Sequence, residues 1–342
     1  MRAALLSRPW ARGVLHRAAR IVAVGAMFSA VSEFWAYPIE LGMGQIGLIV
    51  AYGLFGYVFL LTLRYFQVCS FAGLFVAAGV FGFLVEGTVV PVLYLNLPFS
   101  IAWTSLAWHA LFTIGVGYFL YRRVMSAPSA RNAVLLNAAI GLAFGIWNAY
   151  FWTVVEGTDP VAFSWQPTSA FAAQFLMGWA FFLLGHVLLD MFPPPPRPPG
   201  RLEFGLFLSL AILPYLLTYL WVMFPLSLAL PALLLVSFAA LRAGRSRPES
   251  SWLETFFSYR IALRRYGVSL LIPVMAIATY QAMAWARLEW ETNVVIAVLV
   301  VPLASVYWVY ALFRANHPGH LERRDSGTHG ERDRDRDREP AS

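Results

Sequence analysis

Glu86 and His109 are the residues of this chain best suited to handling a proton. They form a carboxylate–imidazole pair inside the apolar run FLVEGTVVPVLYLNLPFSIAWTSLAWH, residues 83–109. In hydrocarbon a carboxylate costs ~2.5–3.5 kcal/mol near a span centre, so its presence demands a partner or a purpose. Two purposes fit these residue types. The pair could relay protons, bind a cation or serve as general acid and base. It could equally be a hydrogen-bonded tie between helices.

Other polar groups share the layer. At 1.5 Å per residue, Glu33, Glu86, His109 and Asn148 fall ~8–13 Å below one face of the membrane. Gln174, Tyr280 and Gln281 fall at the same depth, and Ser105, His109 and Thr113 form a polar stripe on one helix face. Glu33, Glu86 and His109 make a three-ligand set for zinc or a harder divalent ion, although their spacing matches no metal motif. No haem is expected, because His109 lies ~12 Å and His186 ~25 Å from that face, too far apart in depth to share one iron. His186 and Asp190, four residues apart, read as a capping pair at the opposite end.

The elements that position these groups follow from composition. Of 342 residues, 59% are hydrophobic and 13% charged, which indicates an all-α polytopic membrane protein. All 25 basic residues are arginine, so a retinal Schiff base, a P-loop lysine and a lysine nucleophile are excluded. The one cysteine, Cys69, excludes internal disulfides and cysteine metal clusters. The chain has no Gly-rich nucleotide loop, Gly-x-Ser-x-Gly elbow or zincin helix.

A hydrocarbon core of ~30 Å needs about 20 apolar residues per helix. Ten spans are predicted, at residues 21–38, 45–64, 71–95, 101–121, 132–155, 169–191, 203–223, 225–241, 267–286 and 293–313. With both termini inside, every arginine except Arg287 falls on the cytoplasmic side, while Glu40, Glu156, Asp159, Glu289 and Glu291 fall outside. That is the pattern of a bacterial-type cytoplasmic (inner) membrane protein. The net charge of +7 therefore reports topology, and no nucleic-acid partner is expected. Trp35, Trp103, Trp152, Trp285 and Trp290 near one face, and Tyr65, Tyr121 and Tyr266 near the other, read as aromatic belts.

The predicted organisation has five parts. Residues 1–20 form a basic cytoplasmic segment, and 21–192 a six-helix membrane domain. Residues 193–202, containing PPPPRPPG, form a stiff linker. Residues 203–314 form a four-helix membrane domain with an interfacial helix near 250–265, introduced by a capping box from Ser251 to Glu254. Residues 315–342, with His317, His320 and His329, form a disordered charged tail.

The first six spans look like three helical hairpins of common design. Gly25–Ser29–Glu33, Gly79–Gly82–Glu86 and Gly141–Gly145–Asn148 each set small residues and one polar group along a helix face. Gly56, Gly117 and Gly185 open similar motifs in the partner spans (GYVFL, GYFLY, GHVLL). A rival alignment matches VEGT at 85–88 with VEGT at 155–158. Three functions suit such a chain: a transporter-like protein binding a proton, cation or small ligand; an enzyme modifying a lipid or isoprenoid at the outer leaflet; or a non-catalytic scaffold. The bilayer is its one certain partner, and the oligomeric state is not encoded in these patterns.

Overall fold

The computed structural model describes residues 9–39, 42–155, 162–195, 198–243 and 256–315. Among these, nine helices are long and apolar enough to cross a membrane. They are α1 (Arg12–Phe34), α2 (Gly44–Tyr65), α3 (Phe71–Thr88), α5 (Ala130–Phe151) and α6 (Thr168–Met191), then α7 (Arg201–Val222), α8 (Leu226–Ala243), α9 (Leu263–Ala286) and α10 (Thr292–Arg314). The segment predicted as the fourth span is helical too. This α4 (Ile101–Leu120) has π winding and continues as an α-helix over Tyr121–Ser126. A π-helix bonds i to i+5 and recurs at functional sites, although usually as a single turn.

Several boundaries differ from the sequence expectation, each for a local reason. The first helix begins at Pro9, a residue suited to a first helical position, so residues 9–20 extend the span. The third span stops at Thr88, before the Val89–Val90–Pro91 stretch, and a short helix Val92–Leu95 follows. The tight link between α7 and α8 is tied by Tyr215 donating to the Ser227 carbonyl at 3.2 Å and Ser227 donating to the Leu220 carbonyl at 3.0 Å. Of the expected interfacial helix, 256–258 are helical and 259–262 are not, because main-chain groups there are taken up by side chains of other helices. The capping box, Glu40, Glu156, Asp159, Arg197 and the charged tail with its histidines lie outside the described residues. A two-stranded antiparallel ribbon, β1 (Val154–Val155) with β2 (Ala162–Phe163), links α5 to α6.

Helix α3 is the core, with 94% of its apolar window buried, whereas α7 is 11% buried and α10 17%. Most exposed side chains on these outer helices are apolar, Leu217, Leu303, Val306 and Phe313 among them, as a lipid-facing surface requires. Close contacts follow the small residues. A Cβ at Gly82 would lie 2.3 Å from the Ser105 carbonyl oxygen, which fixes α3 against α4.

The glycines matched in sequence share a neighbour. Gly56 abuts Val24 and Phe28, Gly117 abuts Val31, and Gly185 abuts Ala23 and Met27, all of them on α1. Their likeness therefore reflects three helices converging on α1. The stripe of α5 goes elsewhere: Gly141 and Gly145 close on Ile272 and Thr279 of α9. Thus α1 pairs with α2 and α3 with α4 as hairpins, while α5 and α6 find different neighbours. Helices of the second half also pack into the first, with α10 and α8 against α3.

Arginine marks one end of the bundle. There Arg17 meets Glu203 at 2.9 Å, joining the starts of α1 and α7, and Arg122 meets Asp190 at 2.6 Å, joining the ends of α4 and α6.

Candidate functional site

Four helices supply the polar layer in the arginine-poor half. Glu86 of α3 receives a hydrogen bond from His109 of α4, Nε2 to Oε1 at 2.7 Å. Both side chains are buried, His109 to 2% exposure and Glu86 to 6%. The other imidazole nitrogen, Nδ1, lies 3.2 Å from the Ser32 hydroxyl of α1, and Ser32 lies 2.7 Å from the Thr113 hydroxyl of α4. Beside Ser32, Glu33 accepts a hydrogen bond from Tyr52 of α2. The rings of Phe81 and Tyr52 flank the imidazole at centroid distances of 5.7 and 6.0 Å.

Chemically, this arrangement can serve as a relay. A neutral imidazole with Nε2–H facing Glu86 accepts from Ser32 at Nδ1, and Ser32 then accepts from Thr113. A doubly protonated imidazole donates at Nδ1 to Ser32, whose own hydroxyl hydrogen is then free for Thr113. One proton gained by His109 thus reverses the bond to Ser32 and carries the change from α4 to α1. The second carboxylate oxygen of Glu86, Oε2, has no hydrogen bond among the described residues and is not fully sealed. Toward the arginine-rich end, the rings of Phe28, Phe59, Phe81 and Tyr118 pack into a plug under the relay.

The remaining sequence candidates fall into three groups. Asn148 and Gln174 serve the end of α1, which finishes in a π turn, Ala30–Phe34. A buried helix terminus leaves carbonyls that need donors. Asn148 donates to the Trp35 carbonyl at 2.7 Å, and Gln174 to those of Phe34 and Tyr37 at 3.0 and 2.6 Å. Trp147 and Trp108 complete the set on Ala36 and Ser32, at 3.0 and 3.2 Å. Tyr280 and Gln281 lie apart on α9, where Tyr280 donates to the Gln166 carbonyl at 3.1 Å and Gln281 accepts from Thr168. Ser105 is buried on the glycine contact with α3, and its hydroxyl has no partner among the described residues.

Glu33, Glu86 and His109 are not drawn into one ligand set. His109 spends both nitrogens on Glu86 and Ser32, while Glu33 turns to Tyr52. Among the described residues no three His, Cys, Asp or Glu side chains converge as metal ligands. Sequence reasoning missed Ser32 and Tyr52 altogether. The only trace of Ser32 is its place next to Glu33.

Just beyond α1, burial first and the nearby Glu33 and Glu86 carboxylates second push the Tyr37 hydroxyl above its ordinary range, so it stays protonated. An apolar cleft of about 810 Å³ lies against Trp108. Trp108, Phe112, Phe144, Trp147 and Ile296 line it, and Glu289 and Glu291 stand at its rim. Trp108 stacks on Trp147 at 4.5 Å and touches both features, lining the cleft while its indole N–H bonds the Ser32 carbonyl.

At the arginine-rich end, His186 and Asp190 do not cap each other. Asp190 accepts from Arg122 at 2.6 Å, from the Tyr266 hydroxyl at 2.7 Å and from the Ile261 amide at 3.2 Å. His186 bonds the Gly117 carbonyl at 3.2 Å and packs on Tyr121. Compared with protein-family models, curated proteins and solved structures, the chain matches none.

Proposed function

We propose that this chain is a transporter-like protein of a bacterial-type cytoplasmic membrane, in which Glu86 and His109 bind and release a proton. One observation carries the reading: His109 is bonded through both ring nitrogens, to a carboxylate on one side and to a chain of two hydroxyls on the other. Every member of that chain can exchange donor and acceptor roles, which a proton site needs and a packing contact does not. Ser32 and Thr113 extend the relay, and Glu33 with Tyr52 supplies a second carboxylate beside it. The aromatic plug closes the relay from the arginine-rich end, as one gate of an alternating-access carrier would. Positive-inside bias supports cytoplasmic termini and an outward-facing relay.

The test is infrared difference spectroscopy of the purified protein between acid and neutral pH. The wild type is expected to show a protonated-carboxyl band together with imidazole bands. Glu86→Gln should lose one component of the first and His109→Gln one component of the second, against the background of the other carboxyls and histidines. Difference spectra of both variants identical to that of the wild type would sink the proposal.

A second reading, an enzyme acting on a lipid or isoprenoid at the outer leaflet, draws on the 810 Å³ apolar cleft one tryptophan away from the relay. There Glu86 and His109 would be acid and base. Lipid analysis of a deletion strain separates the two, since the enzyme reading requires a missing product and an accumulated precursor.

A further inference from the structure

Three arginines are almost fully buried at the arginine-rich end, and they are not treated alike. Arg122, 4% exposed, has Asp190 at 2.6 Å. Arg20 and Arg64 are 6% and 7% exposed, and among the described residues neither has a carboxylate within 4 Å. Arg20 of α1 uses Nε on the Phe192 carbonyl at 3.1 Å. Arg64 of α2 has a buried Nε with no hydrogen-bond partner. The nearby acid, Glu203, is taken at 2.9 Å by Arg17 and at 2.9 Å by the Tyr57 hydroxyl.

Among the described residues the local charge does not balance. Arg17, Arg20 and Arg64 act on one carboxylate, Glu203, and Arg64 also feels the positive charge of Arg20. A buried charge without a counter-charge is strongly unfavourable, so such a pair of guanidinium groups implies a missing anion. Arg20 also meets the Tyr57 hydroxyl, whereas the Arg64 guanidinium has no hydrogen bond among the described residues. Two planar forks suit an oxyanion with several acceptor oxygens. The start of α7, whose cap Gly200 offers no side-chain bond, adds its positive end to the same place.

We propose that Arg20 and Arg64 hold a phosphate group between the arginine-rich ends of α1 and α2. The phosphate is either that of an anionic lipid headgroup or that of a soluble phosphoryl compound.

The experiment is thermal unfolding of delipidated full-length protein in a neutral detergent. It is titrated separately with inorganic phosphate and with mixed micelles containing phosphatidylglycerol, against chloride and phosphatidylcholine controls. A saturable rise in midpoint is expected with at least one phosphate probe and not with its control. Arg64→Gln and Arg20→Gln should weaken the apparent affinity at least tenfold, and the exposed Arg131→Gln should leave it unchanged. A rise with phosphatidylglycerol alone assigns the phosphate to a lipid, and a rise with inorganic phosphate assigns it to a soluble compound. Native mass spectrometry of the wild type before delipidation gives a readout that needs no variant to fold, and a phosphate-bearing adduct is expected. No rise with either probe and no adduct would overturn the proposal, as would an equal rise in Arg64→Gln and wild type.

Discussion

Two acid–base contacts among the described residues, one at each end of the bundle, are built on opposite plans. At the arginine-rich end, Arg122 and Asp190 meet at 2.6 Å, and Asp190 also takes a tyrosine hydroxyl and a backbone amide. Arg122 in turn reaches the Tyr259 carbonyl at 2.7 Å. A guanidinium does not give up its proton, and a backbone amide cannot reverse. In the other half, Glu86 and His109 meet at 2.7 Å, but one carboxylate oxygen is unspent and the chain beyond the imidazole consists of hydroxyls. Distance and burial are nearly the same in the two pairs. What differs is whether the donors are fixed, and on the proposed reading that separates a clamp from a switch.

The comparison can be broken most sharply at the clamp. Asp190→Leu strands Arg122 as a buried charge, and the expected loss is about 3–5 kcal/mol in denaturant-titrated unfolding. A loss no larger than that of a surface substitution would remove the distinction from the clamp side. Next comes the cap on α1. Asn148→Ala leaves the Trp35 carbonyl without its side-chain donor, and about 1–3 kcal/mol should be lost in the same assay, with the infrared bands of the relay retained. The smallest effect is expected at the switch itself. Glu86→Gln still offers an amide oxygen to the imidazole Nε2–H, so stability should change by under ~1 kcal/mol while one component of the pH-dependent carboxyl band disappears. If Glu86→Gln instead costs as much as Asp190→Leu, the Glu86–His109 pair is a clamp as well.

The helices were legible in the sequence because hydrocarbon thickness imposes a length, and arginine reports which end is which. The contact between Glu86 and His109 was legible from depth alone, since two groups at one level on adjacent helices have few other partners. The small-residue stripes announced close contact without naming the neighbour. Gly141 and Gly145 chose α9, far along the chain, and nothing local encodes that. Ser32 and Tyr52 left little trace, because a hydroxyl among apolar residues is usually satisfied within its own helix, as Ser29 is by the Gly25 carbonyl at 2.7 Å. Arg20 and Arg64 look like ordinary flanking charges in sequence. Their burial is set by the neighbouring helices and so cannot be read from spacing.

The way α1 ends has a consequence for how the protein is made. Its last carbonyls wait for Asn148, 113 residues downstream of Trp35, and for Gln174, 140 residues downstream of Phe34. At a synthesis rate of 5–20 residues per second, Gln174 follows Phe34 by roughly 7–28 s. Through that interval α1 carries polar main chain at its end without its side-chain donors. The helix around which the bundle closes is thus made before its partners and completed only when they arrive. Insertion must hold it at the edge of the lipid, or lend it a temporary neighbour, until the sixth helix arrives.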